Sequence, residues 1–426
     1  MITIRIHILL IIIISVIIAY FLIEMTLLTV NTIRAFKKYF CTRELKLLDR
    51  YGGPGTWAII TGASSGQGRD FALSLAKRGF NICMIGSHNT DKTAAEIATT
   101  YPTIKTKIIY KDFCCAFQDD FFDDIIQTIN ELDDKIGLLV NNVGHRVAWN
   151  PYHEMPHKLI RDSIATGTIV QSRLTQLIIP IFLKRKPTAK SGLINITAQC
   201  LHPNFLFGLT ISNEISVPYL SVYEAANAFG FYHGNSIYKE YKGQFDILNV
   251  TPGAVITENT QCLQNTMFKI NSDKYVENIL KMTGNVQGHS CAYWGHALTN
   301  FLINLVPFIK NRELDNVGRT ISIDYMNKYM EKQKSTSAGQ EQLTQLPELT
   351  NQPSHLSNPT IEQSTQQDEY QTQLMKSLLE SLQKTLLVNK DTLENKPAVY
   401  PETPSESIII DDTLQSISSN LEHDLL

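Results

Sequence analysis

The segment Thr61-Gly62-Ala63-Ser64-Ser65-Gly66-Gln67-Gly68 has the residue types to bind an anion with main-chain atoms alone. Glycines let a backbone turn tightly and admit a phosphate close to the chain. A helix that starts at such a turn adds unpaired N–H groups and the positive end of its dipole. The flanking sequence supplies both neighbours that the turn needs. Trp57-Ala58-Ile59-Ile60 is a short apolar run of the kind buried in a parallel sheet. Within Arg69 to Arg78, Phe71, Leu73, Leu75 and Ala76 recur at helical spacing. Strand, glycine turn and helix, in that order, hold the pyrophosphate of a dinucleotide. Glycines also occur in ordinary turns, so a doubly wound fold with plain loop glycines and no nucleotide is the competing reading.

The elements that must position this turn follow from the rhythm of residues 51–290. Short β-rich runs at Ala58–Thr61, Asn81–Ile85, Lys105–Tyr110, Gly137–Asn141, Gly192–Ile196 and Phe245–Thr251 alternate with helical patterns. That alternation predicts an α/β fold, a doubly wound parallel sheet covered by helices on both faces. In such a sheet the chemistry lies beyond the C-terminal strand ends. The chain has 426 residues and a formal net charge of −3, which implies no nucleic-acid partner. Its seven cysteines form no C-x-x-C pair, no metal site is expected, and a reducing compartment is the simpler reading.

Residues 1–50 read as a membrane anchor and basic linker. Ile8 to Ile23 is almost wholly apolar and the run resumes from Met25 to Val30, close to the about 20 residues a bilayer span needs. No small-x-small cleavage site follows it, which favours an anchor over a cleaved signal peptide. Arg34, Lys37, Lys38, Arg43 and Lys46 follow the run and only Arg5 precedes it, so the positive-inside rule places the following domain in the cytoplasm. Residues 291–331 include a second apolar stretch, Ala292 to Ile309, which suits a core helix or one resting on a membrane. Residues 332–426 are rich in Gln, Ser, Thr and Pro, a composition expected to remain disordered. Within them Leu374, Leu378, Leu382 and Leu386 outline a short amphipathic segment, 374–388, for which a docking partner is one reading.

Three further landmarks follow the glycine turn in order: Asn141-Asn142-Val143-Gly144, Tyr223, and Pro252-Gly253 through Thr257. With Thr61–Gly68 they resemble the short-chain dehydrogenase/reductase family. Tyr51-Gly52, Leu75-Ala76-Lys77-Arg78-Gly79, Ile136-Gly137-Leu138-Leu139-Val140, Thr175-Gln176-Leu177 with Pro180, and His296-Ala297-Leu298 are similar to the membrane-anchored very-long-chain 3-oxoacyl-CoA reductase and 17β-hydroxysteroid dehydrogenase type 12 group within it. The likeness covers about residues 8–330 and excludes the tail. It implies a Rossmann-type domain in which Gly62, Ser64, Gly66, Gln67 and Gly68 form the pyrophosphate turn. Asp112 would hold the adenine amino group, Asn141 would stabilise the sheet, and Gly144 would let the backbone pass close to the ribose. Pro252, Gly253, Val255 and Thr257 would seat the nicotinamide carboxamide. No carboxylate follows the second strand in Gly86-Ser87-His88-Asn89. A carboxylate there would exclude a 2′-phosphate. NADP(H) is therefore favoured over NAD(H), with His88, Arg69 or Lys92 as the balancing cation.

The same resemblance implies a catalytic tyrosine, serine, lysine and asparagine. Tyr223 occupies the tyrosine position, and a phenol is protonated at neutral pH and able to donate. The lysine position, four residues on, is Asn227; the serine position is Ala198; the asparagine position, eight residues before Thr175, is Gly167. Thr197 precedes Ala198, but adjacent strand residues face opposite sides. Tyr238 and Lys242 also fit a Y-x-x-x-K pattern, at the far end of the same helix. Two functions remain open. One is a membrane-anchored reductase of a hydrophobic lipid carbonyl, a 3-oxoacyl-CoA or ketosteroid, in the endoplasmic reticulum with its catalytic domain facing the cytosol, for which a homodimer is one assembly. The other is a nucleotide-binding pseudoenzyme acting as a membrane scaffold or regulator.

Overall fold

The computed structural model describes residues 2–87, 89–144, 151–185, 189–198, 219–253, 255–256, 269–298 and 323, with 204–206 and 209–211 as backbone. The tail, including 374–388, residues 299–309 of the second apolar stretch, His88 and Thr257 lie outside the described residues.

The chain begins with α1 (Ile2–Phe36), a continuous helix through both apolar runs. At 1.5 Å per residue it is about 52 Å long. It is the one helix among the described residues long and apolar enough to cross a membrane. Its threonines suit an apolar medium, because Thr26, Thr29 and Thr32 return their hydroxyls to the carbonyls of Leu22, Met25 and Leu28 at 2.8, 2.8 and 2.9 Å. A π-turn, Lys37–Cys41, follows. It touches the folded domain through Lys38 Nζ, which donates to His289 O at 3.2 Å, and through Phe40, whose ring lies 6.4 Å from that of Trp294.

After the short helix α2 (Leu47–Arg50), strands and helices alternate: β1 (Trp57–Thr61), α3 (Gly66–Lys77), β2 (Asn81–Gly86), α4 (Thr90–Thr100), β3 (Thr106–Tyr110), α5 (Asp123–Leu132), β4 (Ile136–Asn141), α6 (His157–Ile164), α7 (Val170–Lys184) and β5 (Gly192–Ile196). A two-stranded antiparallel hairpin, β6 (Asn204–Leu206) and β7 (Leu209–Ile211), precedes α8 (Ser221–Glu240). The chain continues through β8 (Asp246–Val250), β9 (Val255–Ile256), β10 (Ile270–Asn271), α9 (Ser272–Met282) and β11 (Gly288–Ser290). The main sheet has seven strands in the order β11-β8-β5-β4-β1-β2-β3, and every pairing in it is parallel.

Strand alternation divides the core between the two faces of the sheet. Ala58 and Ile60 of β1 pack with Phe71, Leu75, Val276 and Ile279 on one face, while Trp57 and Ile59 pack with Ile125, Leu174 and Ile178 on the other. Cys83 is fully buried in the second cluster, where burial pushes its thiol up to about 12. It acts as a small apolar side chain. The edge strand β11 was not among the strands expected from the sequence. Its Gly-His-Ser sequence has no apolar period, and only its pairing with Leu248 to Val250 makes it a strand.

The linker preceding β1 is bolted to the base of the sheet by a buried carboxylate. Asp246, 4% exposed, accepts from Arg50 Nε and Nη2 at 2.5 and 3.0 Å, from Tyr51 Oη at 3.0 Å and from Gln287 Nε2 at 2.8 Å. The bond to Asp246 raises the Arg50 pKa above its usual value, and burial raises that of Tyr51. Asp246→Ala is expected to lower stability by about 3 kcal/mol, because it strands the guanidinium and a buried phenol. Chemical denaturation of the full chain measures this, and a loss under about 0.5 kcal/mol, the range of ordinary surface changes, contradicts it.

Candidate functional site

At the C-terminal end of β1 the chain reverses through Gly62, with φ +69°, and Gly66, with φ +52°, a region that side-chain-bearing residues rarely adopt. A Cβ on Gly68 would run into the carbonyl of Gly62, so α3 packs against the turn only because residue 68 is glycine. Thr61 and Asn142 lock this turn to the end of β4. Thr61 Oγ1 accepts the amides of Asn142 and Val143 at 2.9 and 3.0 Å, and Asn142 Nδ2 donates to Thr61 O at 3.0 Å. The α3 N-terminus has no side-chain cap from Ser65 and no acidic residue in its first turn. Its first N–H groups and dipole therefore suit an anion. Gln67 Oε1 is buried without a partner among the described residues, an acceptor placed for a hydroxyl such as a ribose provides. A Cβ on Gly144 would meet nothing within 4 Å among the described residues. Protein packing therefore does not demand glycine there, whereas a ligand lying against the backbone would. These features fit the phosphate and ribose portion of a dinucleotide.

Asp112 is exposed just past β3, and its Oδ1 accepts the Cys114 amide at 3.1 Å. It thus has a local structural duty, capping the turn Phe113–Cys115. Arg69, one of the candidate 2′-phosphate cations, is taken up elsewhere. It forks onto Glu96 with contacts of 2.6, 2.7 and 3.1 Å, tying α3 to α4. Lys92 is exposed in the first turn of α4.

The loop beyond β8 is pinned to its neighbours. Thr251 N donates to Ser290 O at 3.1 Å, and Thr251 Oγ1 lies 2.7 Å from His289 Nε2. Gly253 N donates to His296 Nδ1 at 3.1 Å, and Val255 and Ile256 pair in parallel with Ile270 and Asn271.

The positions expected to transfer protons converge where β5, the π-turn Ala165–Ile169 between α6 and α7, and α8 meet. A Cβ on Gly230 would come within 2.6 Å of Thr197 Cγ2 and 3.0 Å of Gln171 Oε1. Asn227 lies about one helical turn before Gly230, Tyr223 a further turn back, and Gly167 one turn before Gln171. The described side chains there supply little. Asn227 is 7% exposed and donates its Nδ2 to the carbonyl of Tyr223 at 3.1 Å, closing on its own helix. Thr197 cannot stand in for a serine at residue 198, because its Oγ1 donates to Val250 O at 3.2 Å. Tyr223 is half-buried in the first turn of α8. Tyr238 packs against Gly288, near the other end of that helix. An apolar cavity of about 550 Å³ adjoins the outer side of α8, lined by Tyr152, Ile160, Ile164, Thr168, Val222 and Ala225 among others.

One feature of the site core was not anticipated. Asn141, Asn195 and Asn249 stand at one register on β4, β5 and β8. Asn141 Nδ2 donates to Asn195 Oδ1 and Asn195 Nδ2 to Asn249 Oδ1, both at 2.9 Å, and Asn249 Nδ2 reaches Asn235 Oδ1 at 3.3 Å. Asn141 Nδ2 also donates to Thr175 Oγ1 at 3.1 Å. Gly234 is the clearance for this ladder, since a Cβ there would strike Asn249. The signal was present as an asparagine at the last or next-to-last position of three apolar strand runs.

An all-parallel sheet, with an uncapped helix start after the first strand and a pinned loop after the sixth main-sheet strand, defines a doubly wound protein of the dinucleotide-binding class. The sequence profile of the short chain dehydrogenase family matches residues 56–207. The chain is 28% identical over 272 residues to a very-long-chain 3-oxoacyl-CoA reductase of Aspergillus niger, covering 61% of this chain and 73% of that protein. It is 28% identical over 284 residues to the Homo sapiens protein of the same description, covering 65% and 84%. A solved 7β-hydroxysteroid dehydrogenase superposes with a TM-score of 0.50 at 19% identity, over 60% of this chain and 93% of the other, and shows the shared fold. The chain belongs to the short-chain dehydrogenase family of NAD(P)-dependent oxidoreductases, and is distantly related to very-long-chain 3-oxoacyl-CoA reductases.

Proposed function

We propose that this protein is a membrane-anchored NAD(P)(H)-dependent reductase of a lipid carbonyl, a 3-oxoacyl-CoA or ketosteroid. The observation that carries the reading is the glycine turn: Gly62, Gly66 and Gly68 positioned before an uncapped α3, with no described atom within 4 Å of a Cβ at Gly144. In this reading Gly62, Ser64, Gly66, Gln67, Gly68, Asp112 and Gly144 hold the nucleotide, and Asn141 stabilises the sheet beneath it. Pro252, Gly253, Val255 and Thr257 seat the nicotinamide, which supplies a hydride when bound. Tyr223 donates the proton to the carbonyl oxygen. The preference for NADP(H) rests on the carboxylate-free Gly86–Asn89 segment. α1 supports a membrane location; the endoplasmic reticulum is proposed from the likeness to the reductase group, and the cytosolic side from the basic residues that follow the apolar run. A carbonyl on an acyl chain or sterol suits a domain held at a bilayer surface.

A second reading is favoured by a specific observation. Asn227 is bonded to the Tyr223 carbonyl, and Ala198 and Gly167 carry no polar side chain. Without a hydroxyl to polarise the carbonyl, transition-state stabilisation falls by about 3 kcal/mol. This reading is a nucleotide-binding pseudoenzyme that scaffolds or regulates a membrane complex.

The test is thermal unfolding of the full chain in mild detergent with NADPH, NADH and neither. At a hundred times Kd a nucleotide stabilises the native state by about 2.7 kcal/mol. A rise in midpoint is expected, larger with NADPH, and no rise with either nucleotide ends the cofactor reading. With nucleotide bound, turnover of 3-oxoacyl-CoA or ketosteroid that is lost in Tyr223→Phe distinguishes the reductase from the pseudoenzyme.

A further inference from the structure

We infer that His296 is a positioning residue for the nicotinamide loop, acting through the backbone amide of Gly253. This inference rests on the reading of residues 252–257 as the nicotinamide seat. Past the end of β8, Thr251 N–H is used by Ser290 O, and Pro252 has no N–H. Gly253 therefore carries the next backbone donor of the loop, and His296 Nδ1 accepts it at 3.1 Å. To accept, Nδ1 must be unprotonated, which assigns the ring hydrogen to Nε2.

The imidazole has little freedom to move. His296 is 1% exposed, the Tyr275 ring lies 5.3 Å from it at 60°, and the Tyr293 ring meets it edge-on at 5.1 Å. Tyr275 is itself fully buried and donates its hydroxyl to Cys291 O at 2.8 Å. The helical turn at 294–298 thus presents one fixed acceptor to a loop made from a distant part of the chain. Two residues beyond Gly253, Val255 enters the short ladder with Ile270. His296 fixes the Gly253 amide and the ladder fixes Val255 and Ile256, so the described backbone groups of the loop are set before a nucleotide arrives. Preorganisation of this kind reduces the ordering cost of binding.

Three variants of the full chain in detergent test the inference: His296→Leu, which removes the acceptor; His296→Asn, which keeps one at the δ position; and His296→Gln, which moves it to the ε position. Hydrogen exchange of the Gly253 amide is measured without nucleotide, and affinity is measured for NADPH, NADH and ADP-ribose, which lacks the nicotinamide ring. In His296→Leu and His296→Gln, exchange at Gly253 is expected to accelerate about tenfold and affinity for the better dinucleotide to fall about tenfold, the scale of one hydrogen bond. ADP-ribose affinity should stay unchanged, and His296→Asn should restore both quantities. Equal losses for dinucleotide and ADP-ribose, unchanged exchange at Gly253, or no rescue by asparagine overturns the inference while leaving the cofactor site standing. Wild-type protein that binds none of the three ligands removes the cofactor reading and this inference with it.

Discussion

Gly144→Val is expected to abolish dinucleotide binding, raising Kd at least about a hundredfold, while leaving the unliganded protein as stable as wild type. The two halves of this result have separate causes. A Cβ at residue 144 meets no described atom within 4 Å, so a side chain can project without disturbing the fold. The cost to stability should stay within about 0.5 kcal/mol, as for an ordinary surface change. The same side chain would occupy the space beside the locked Thr61–Asn142 junction, where the ribose is proposed to lie. Gly68→Val is the contrasting case. Its Cβ would collide with the carbonyl of Gly62, a backbone atom that cannot rotate away. It should lower stability by about 1–3 kcal/mol and abolish binding as well. Thermal midpoints with and without NADPH separate the two. If Gly144→Val binds nucleotide as wild type does, the ligand does not lie against this backbone.

Ala198→Ser combined with Asn227→Lys is expected to raise carbonyl reduction by about 10²–10³-fold if the chain is a reductase with a weakened site, the range associated with one well-placed donor. The serine would add a hydroxyl that the neighbouring Thr197, committed to Val250 O, does not supply. The lysine would replace an amide that is turned onto its own helix at Tyr223 O. Asn227 is 7% exposed, so a lysine there is buried without a partner for its charge until ribose hydroxyls or a phosphate reach it. Asn227→Lys alone should therefore lower the thermal midpoint of the unliganded protein, and nucleotide should recover part of the loss. Steady-state reduction of a 3-oxoacyl-CoA substrate reads the gain. A folded, nucleotide-binding double variant with no gain favours the scaffold reading.

Much of this architecture was legible because it depends on local rules. Short apolar runs alternating with helical periods dictate a parallel sheet, and a glycine turn between strand and helix can be read without tertiary information. The missing hydroxyl at Ala198 and the missing ammonium at Asn227 were likewise visible as residue types, through the likeness to a family. β11 was not legible, because Gly-His-Ser forms a strand only when Leu248 to Val250 lie alongside it.

The sequence by itself determined the fold class, the apolar length of the N-terminal helix and the identity of the residues at the glycine turn, since each follows from composition and spacing along the chain. Only the tertiary structure decided how those residues are employed. It turned Arg69 away to Glu96, gave Asp112 a capping duty, closed Asn227 onto Tyr223 O, and brought His296 to the amide of Gly253 across more than forty residues. The physical reason is that a hydrogen bond has a range of about 3 Å, and which groups come within it is settled by packing between segments distant in the chain.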